Sequence, residues 1–421
     1  GDCLFPPTPS RASFSPAREA APLPAGFLPP APPPPPPPNR LYSLDVLRGV
    51  AALLVVFCHW QNFFMMGVTS GEYDVIRMPG FSLIGFLYEN AWMAVDFFFC
   101  LSGFVFHWLY GLPVSKGRIV FGRFAALRLS RLYPLHLATL MLVALGQWGY
   151  LLATGTYFAF HHQDIHHFVL NVLFASSWGF ESGYSFNGPI WSVSVEMFLY
   201  GIFFFMCRRW GVRTVVMMVF AISGFTWMNV LYAPLGRGIT GFFVGGLAYV
   251  VYQYILHSRH ARRMELTLSI LLMLMIGLVL AISSMNESPS LRAIPGLWRL
   301  EGVFQWLYYR LPMLVLFPVV ILVAALVETR VAGRGRAGLS WRKGAVLGDV
   351  SYAVYLLHFP LQLVMALFLV RMDIDHDMFY APWFIISFFT LLVFIAWLTY
   401  RRFELPTQSF IRKQWMVRRE C

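Results

Sequence analysis

Charge is scarce in this chain. Only 12% of its residues are Asp, Glu, Lys or Arg, against about 25% in ordinary soluble domains. That excludes a conventional water-soluble globule. Cysteine is equally sparse. Cys3, Cys58, Cys100, Cys207 and Cys421 are scattered without a CxxC pair, so no disulfide framework or thiol redox motif is present and they read as small hydrophobes. No strand-flanked GK[ST] accompanies the Gly/Arg-rich segment 333–340, so it reads as a linker and not a phosphate loop. Residues 1–40 lack the apolar core of a signal peptide.

What is present is apolar residue in long runs. Hydrophobic residues make up 58% of the 421 positions, and the mean hydropathy is +0.62. The expected fold is an all-α polytopic membrane protein. Segment 1–40 is Pro/Ala/Ser-rich, ends in Pro32–Pro38, and reads as a disordered cytoplasmic tail. The transmembrane domain is expected over 41–412, with a short cytoplasmic tail at 413–421. Ten spans are predicted: Leu44–Met66, Phe81–Tyr110, Leu132–Leu152, Pro189–Cys207, Val215–Tyr232, Gly238–Leu256, Leu266–Ser284, Leu311–Val327, Val350–Val370 and Trp383–Tyr400. Phe168–Trp178 is too short to span and reads as a re-entrant or outer-surface helix.

The net charge of +12 would suggest nucleic acid as partner of a soluble protein. Here the basic residues follow topology instead. With alternating loops, 23 of the 32 Lys and Arg fall on one side and six on the other. The rich side is expected to be cytoplasmic, with both termini there. The lipid bilayer is the expected partner, and nucleic acid is not.

Against this background the buried polar residues stand out, because ionisable groups inside a membrane helix are costly and mark function by default. The first span, LDVLRGVAALLVVFCH, carries Asp45, Arg48 and His59. Arg48 and His59 are eleven residues apart, roughly three turns and about 16 Å along one helix face. Asp45 reads as a partner that positions Arg48. Asp96 sits in the phenylalanine run DFFFCLSGF and must find a partner or stay protonated. Arg123, Arg128 and Arg131 precede LYP in what reads as an inner loop, and arginine geometry suits phosphates. In NGPIWSVSVE, Trp191 and Ser192 precede Glu196, with Ser192, Glu196 and Tyr200 on one face. In SYAVYLLHFP, Ser351, Tyr355 and His358 share a face.

Taken in order, these motifs and RRFELP at 401–406 resemble the acyltransferase 3 family of bacterial membrane O-acyltransferases, over most of residues 41–412. The resemblance implies a ten-helix core. It also implies transfer of an acyl group, usually acetyl, from cytoplasmic acyl-coenzyme A to a hydroxyl of a sugar, polysaccharide or other acceptor, in a bacterial inner membrane. Arg48 and His59 fall on the family's essential arginine and histidine, Asp96 and Glu196 on its acidic positions, and Arg128 and Arg131 within its basic motif. Met197 stands where many relatives carry a second acidic residue.

The chemistry then suggests roles. His59 is the expected general base. Glu196, with Asp96 second, is the expected carboxylate on its other ring nitrogen; an acyl-histidine is a variant route. Arg48, Arg128 and Arg131 are expected to hold the donor's phosphates. Trp191, Ser192, Tyr355 and His358 are supporting residues. No tightly bound cofactor and no metal is expected. HHQDIHH at 161–167 reads as a wet outer loop, Asp373, Asp375 and Asp377 as solvated, and Glu404 as paired with Arg401 or Arg402. A proton-coupled transporter is the alternative, since the same residue types build relays; no inverted repeat is visible.

Overall fold

The computed structural model describes residues 40–66, 73–287, 301–332, 339–372 and 376–417. Segments 1–39 and 418–421, most of the linker at 333–340, and Asp373 and Asp375 lie outside the described residues. Every regular element among the described residues is helical. They are α1 (Tyr42–Cys58), α2 (Phe81–Asn90), α3 (Ala94–Phe106), α4 (Leu112–Ser115), α5 (Phe121–Thr154), α6 (Ile165–Val172), α7 (Trp191–Trp210), α8 (Thr214–Val230), α9 (Ala233–Leu256), α10 (Ala261–Glu287), α11 (Glu301–Leu311), α12 (Phe317–Ala332), α13 (Leu339–Leu369), α14 (Pro382–Thr399) and α15 (Leu405–Val417). Nine helical stretches among the described residues are long and apolar enough to cross a membrane. The fifth predicted span is the shorter α8. Its 17 residues reach about 26 Å at 1.5 Å per residue, close to a hydrocarbon core of about 30 Å. The protein is an all-α polytopic membrane protein.

Several expected boundaries shift. The second span bends, because its helix is interrupted by a tight turn at Ala91–Met93 and a widened turn at His107–Gly111. Helix α5 starts at Phe121, so Arg123, Arg128 and Arg131 stand on the helix itself and not in a loop. Arg40 is no tail residue: it bonds Asp45 and Asp349, both at the base of the bundle. Residues 413–417 continue helix α15 instead of forming a loose tail. Phe168–Trp178 opens with the last turn of the short helix α6.

Lipid tails give helices no hydrophobic reason to associate, so membrane bundles rely on close backbone approach at small residues. That device locks α3 to α9 and α1 to α13, among other pairs. A Cβ added at Gly103 of α3 would lie 1.7 Å from the Phe242 carbonyl oxygen of α9, and one at Gly245 of α9 would lie 1.8 Å from Cys100 O. A Cβ at Gly49 of α1 would lie 2.5 Å from the Leu347 Cβ of α13, and one at Gly348 would lie 2.3 Å from Asp45 O. The start of α1 is capped from another helix. Glu328 of α12 accepts hydrogen bonds from the backbone N–H of Tyr42 (2.9 Å) and Ser43 (2.8 Å), satisfying two of the donors every helix start leaves open. These contacts fix α1, the carrier of Arg48 and His59, against α12 and α13.

Candidate active site

At the Arg48 end of α1 lies a cavity of about 390 Å³ lined by Arg40, Asp45, Arg48, Arg128, Arg131, Asp349, Glu404 and Arg412 among others. Five arginines against three carboxylates leave it cationic. Arg48 is held rigidly: Nε and Nη2 donate to Gly348 O at 3.2 and 2.8 Å, and Nη2 also reaches Asp45 Oδ1 at 2.8 Å. Asp45 also accepts Arg40 Nε at 2.6 Å. Arg128 lies over the rings of Phe106 and Tyr110 at 4.9 and 4.7 Å and donates to the Tyr110 hydroxyl; its Nε is buried without a partner. Arg131 lines the same space and forms no ion pair or hydrogen bond among the described residues. Glu404 faces this cavity. It does not pair with Arg401 or Arg402, and its Oε1 is buried and unpartnered. The π-turn at Tyr400–Glu404 rotates it inward, away from those two exposed arginines.

A narrower cavity of about 140 Å³ continues from there between the helices, and Arg48, Arg128 and Arg131 line both. It adds Ser192, Glu196, Tyr200 and Tyr355. Eight residues singled out by sequence, Arg48, Arg128, Arg131, Ser192, Glu196, Tyr200, Ser351 and Tyr355, thus share one space. Glu196 accepts Ser102 Oγ at 2.7 Å and Tyr200 OH at 2.6 Å. Tyr355 gives its proton to Pro189 O, so the 2.6 Å contact to Ser192 has the serine as donor.

The His59 end of α1 opens into a third cavity, of about 330 Å³, whose lining includes Cys58, His59, Asn62, Trp92, Trp191 and Arg237. Here the expected carboxylate–histidine pairing is corrected. Glu196 is engaged in the arginine-lined cavity, and Asp96 accepts Arg237 Nε at 2.9 Å; neither reaches the His59 ring. The tautomer is set by the helix instead. His59 Nδ1 lies 2.9 Å from Val55 O, an acceptor only, so Nδ1 carries the proton and Nε2 keeps its lone pair. The α-helix stops at Cys58 and tightens into a 3₁₀ segment from His59 to Met65. Gln362 of α13 donates to His59 O at 2.9 Å and accepts from Asn62 Nδ2 at 3.1 Å. His358 is fully buried one turn before Gln362, its ring 5.0 Å from that of His59.

The arginine-lined and histidine-lined cavities share no lining residue. The same helices border both: Val95 and Trp191 line the histidine-lined cavity, and Phe98 and Ser192 line the narrow one. Asp96 has the partner its position demands. Arg237, one of the six basic residues that the loop count puts on the poorer side, lies inside α9 between the rings of Trp92 and Trp191, 5.4 and 5.3 Å away. An arginine between glycines at the start of an apolar helix, with an unmatched aspartate elsewhere, was the available signal. Gln362 carried no signal, being uncharged.

On the outer loop, helix α6 begins at Ile165, so His162 is not on it. Asp164 caps the helix, accepting His167 N at 2.9 Å and His167 Nδ1 at 2.7 Å, and these bonds hold its carboxyl below the usual carboxylate range. His162, Asp164 and His167 bring ligand atoms within 4.8 Å of one another. Both nitrogens of His167 and both oxygens of Asp164 are already engaged, which makes this cluster a cap. Asp377 is paired with Arg77 at 2.9 Å.

The helical fold and its cavities define a polytopic membrane protein with polar chemistry enclosed among its helices. Residues 41–401 match the acyltransferase 3 family, described as an acyltransferase domain, and the chain belongs to that family. A protein described as "Protein 2 in picA locus" from Rhizobium radiobacter is 38% identical over 106 residues, which is 25% of this chain and 45% of that protein. The match thus spans less than half of that relative. No solved structure matches the chain.

Proposed function

We propose that the enzyme transfers an acyl group, acetyl by default, from acyl-coenzyme A to a hydroxyl of a sugar or other acceptor, in a bacterial inner membrane. The observation that carries this reading is the arrangement along α1. A cationic cavity lies at one end, and a histidine with a free Nε2 lone pair lies at the other. Arg131 and the open edges of Arg48 and Arg128 take the donor's phosphates, and the excess of basic residues on that side supports a cytoplasmic face there. The flexible pantetheine arm runs through the narrow cavity toward His59.

The acceptor hydroxyl gives its proton to His59 Nε2 as its oxygen attacks the thioester carbonyl. The C–O bond forms, the C–S bond breaks, and the imidazolium returns the proton to the departing thiolate. Neutral imidazole is suited to the first half as base and imidazolium to the second as acid, and such catalysis is worth about 10²–10⁴ in rate. The test is His59→Ala in detergent-purified protein or membrane vesicles. Transfer of labelled acetyl from acetyl-coenzyme A should fall at least a hundredfold, while coenzyme A binding stays within about twofold. Transfer that survives the substitution sinks the assignment.

A further inference from the structure

The histidine-lined cavity does not end at Arg237. It adjoins a fourth cavity of about 370 Å³, lined by Trp92, Asp96, Met228, Arg237, Trp306, Tyr309, Arg310 and Met313; Trp92 and Arg237 line both. Volumes of this size fall in the range of small-molecule pockets, roughly 300–1,000 Å³. The lining combines two residue classes. Trp92, Trp191, Trp306 and Tyr309 supply flat apolar faces. Arg237 and Arg310 supply guanidinium groups.

The arginines are not consumed by the fold. Arg237 gives only Nε to Asp96, and its Nη2 is buried with no hydrogen-bond partner. Arg310 donates to Met228 Sδ at 3.2 Å and Asn229 Oδ1 at 2.8 Å. Both partners are neutral, and Arg310 has no ion pair among the described residues. Two arginines against Asp96 leave one uncompensated positive charge beside the His59 cavity. A buried guanidinium N–H without a partner is expensive. The planar fork of arginine matches carboxylate and phosphate oxygens, and aromatic faces pack against the C–H face of a sugar ring.

We propose that the acceptor is an anionic sugar, its ring packed on Trp92, Trp191 or Trp306 and its carboxylate or phosphate bound by Arg237 and Arg310, with the hydroxyl to be acylated directed to His59. This rests on the reading of His59 as the base of an acyl transfer to sugar and names the acceptor's charge class.

The experiment measures binding of three probes to the detergent-purified protein: methyl glucoside, methyl glucuronide and glucose 6-phosphate. At least one anionic sugar should bind about tenfold more tightly than methyl glucoside, the lower end of what a charge-assisted contact supplies. The tighter of the two identifies carboxylate or phosphate as the group bound. In Arg310→Gln the preference should fall at least fivefold, and Arg237→Gln serves as a second variant. Equal affinities for all three sugars in the unaltered protein, no binding of any, or a preference untouched in both variants overturns the proposal. Coenzyme A binding on the same preparation separates the two readings. If it remains dependent on Arg131 while the sugars bind alike, the acceptor class is wrong and the donor site stands.

Discussion

Arg131 and Arg48 offer a quantitative test of the donor site, because the structure commits them differently. Arg131 lines both inner cavities but has no ion pair or hydrogen bond among the described residues. Removing it costs the fold little and deprives a bound phosphate of a charged donor. A charge-assisted hydrogen bond is worth about 1.5–3 kcal/mol. Taking about 2 kcal/mol, Arg131→Ala should weaken coenzyme A binding roughly thirtyfold with little change in thermal stability. Arg48 instead holds Gly348 O and Asp45 at the α1–α13 contact. Arg48→Ala should therefore lose affinity and also destabilise the bundle by about 2 kcal/mol, since it leaves a half-buried carboxylate and a carbonyl short of donors.

The assay is calorimetric titration of coenzyme A into both variants, with thermal unfolding on the same samples. The affinity loss for Arg131→Ala should shrink as salt is raised, because part of the contact is screened. Two results would refute the reasoning. One is unchanged affinity in Arg131→Ala. The other is an Arg48→Ala protein that binds weakly yet melts with the parent.

Three further outcomes follow from the same contacts. Gly103→Ala places a Cβ 1.7 Å from Phe242 O, forcing α3 from α9 at a cost of about 3 kcal/mol or more; membrane accumulation of folded protein should collapse, as quantitative immunoblotting after mild solubilisation would show. Gln362→Leu releases the His59 carbonyl and Asn62 and should lower kcat by about ten- to hundredfold, with the donor KM moving far less. Glu196→Gln removes a negative charge from the arginine-lined cavity and should tighten coenzyme A binding by about threefold, while the pH dependence of transfer keeps its shape; loss of that pH dependence would restore a carboxylate–histidine pair.

Much of the site was legible because membrane helices make polarity expensive. Arg48, Asp96, Glu196, His59 and His358 announce themselves by sitting in apolar runs. Their pairings were not legible. Helical periodicity says which residues of one span share a face, and nothing about which face of another span meets them. Hence Glu196, assigned to His59, belongs with Ser102 and Tyr200. Asp96 belongs with Arg237, which the loop count had placed outside. The tautomer of His59 comes from Val55 O, a backbone group every helix has and no sequence displays. The arginines of α5 were misplaced for a related reason. A basic stretch at a span's end looks like loop when hydropathy alone sets the boundary, although nothing in FGRFAALRLSR breaks a helix.

The apolar face of α1 between Arg48 and His59, about 16 Å long, is closed by packing. Ala52 and Val55, four and seven residues beyond Arg48, are 0% and 1% exposed. They are packed into the core and do not form an open track for the donor arm. On the proposed reading the donor arm runs beside α1, through the narrow cavity lined by Phe98, Ser192 and Tyr355. That cavity and the one at His59 share no lining residue, so on the same reading donor and base stand apart in the state described. Such a separation would protect a thioester: water entering from the His59 end would not meet a donor held in the arginine-lined cavity, and hydrolysis would wait on the same opening that transfer does. A variant that joins the two cavities should then raise hydrolysis of acyl-coenzyme A in the absence of acceptor.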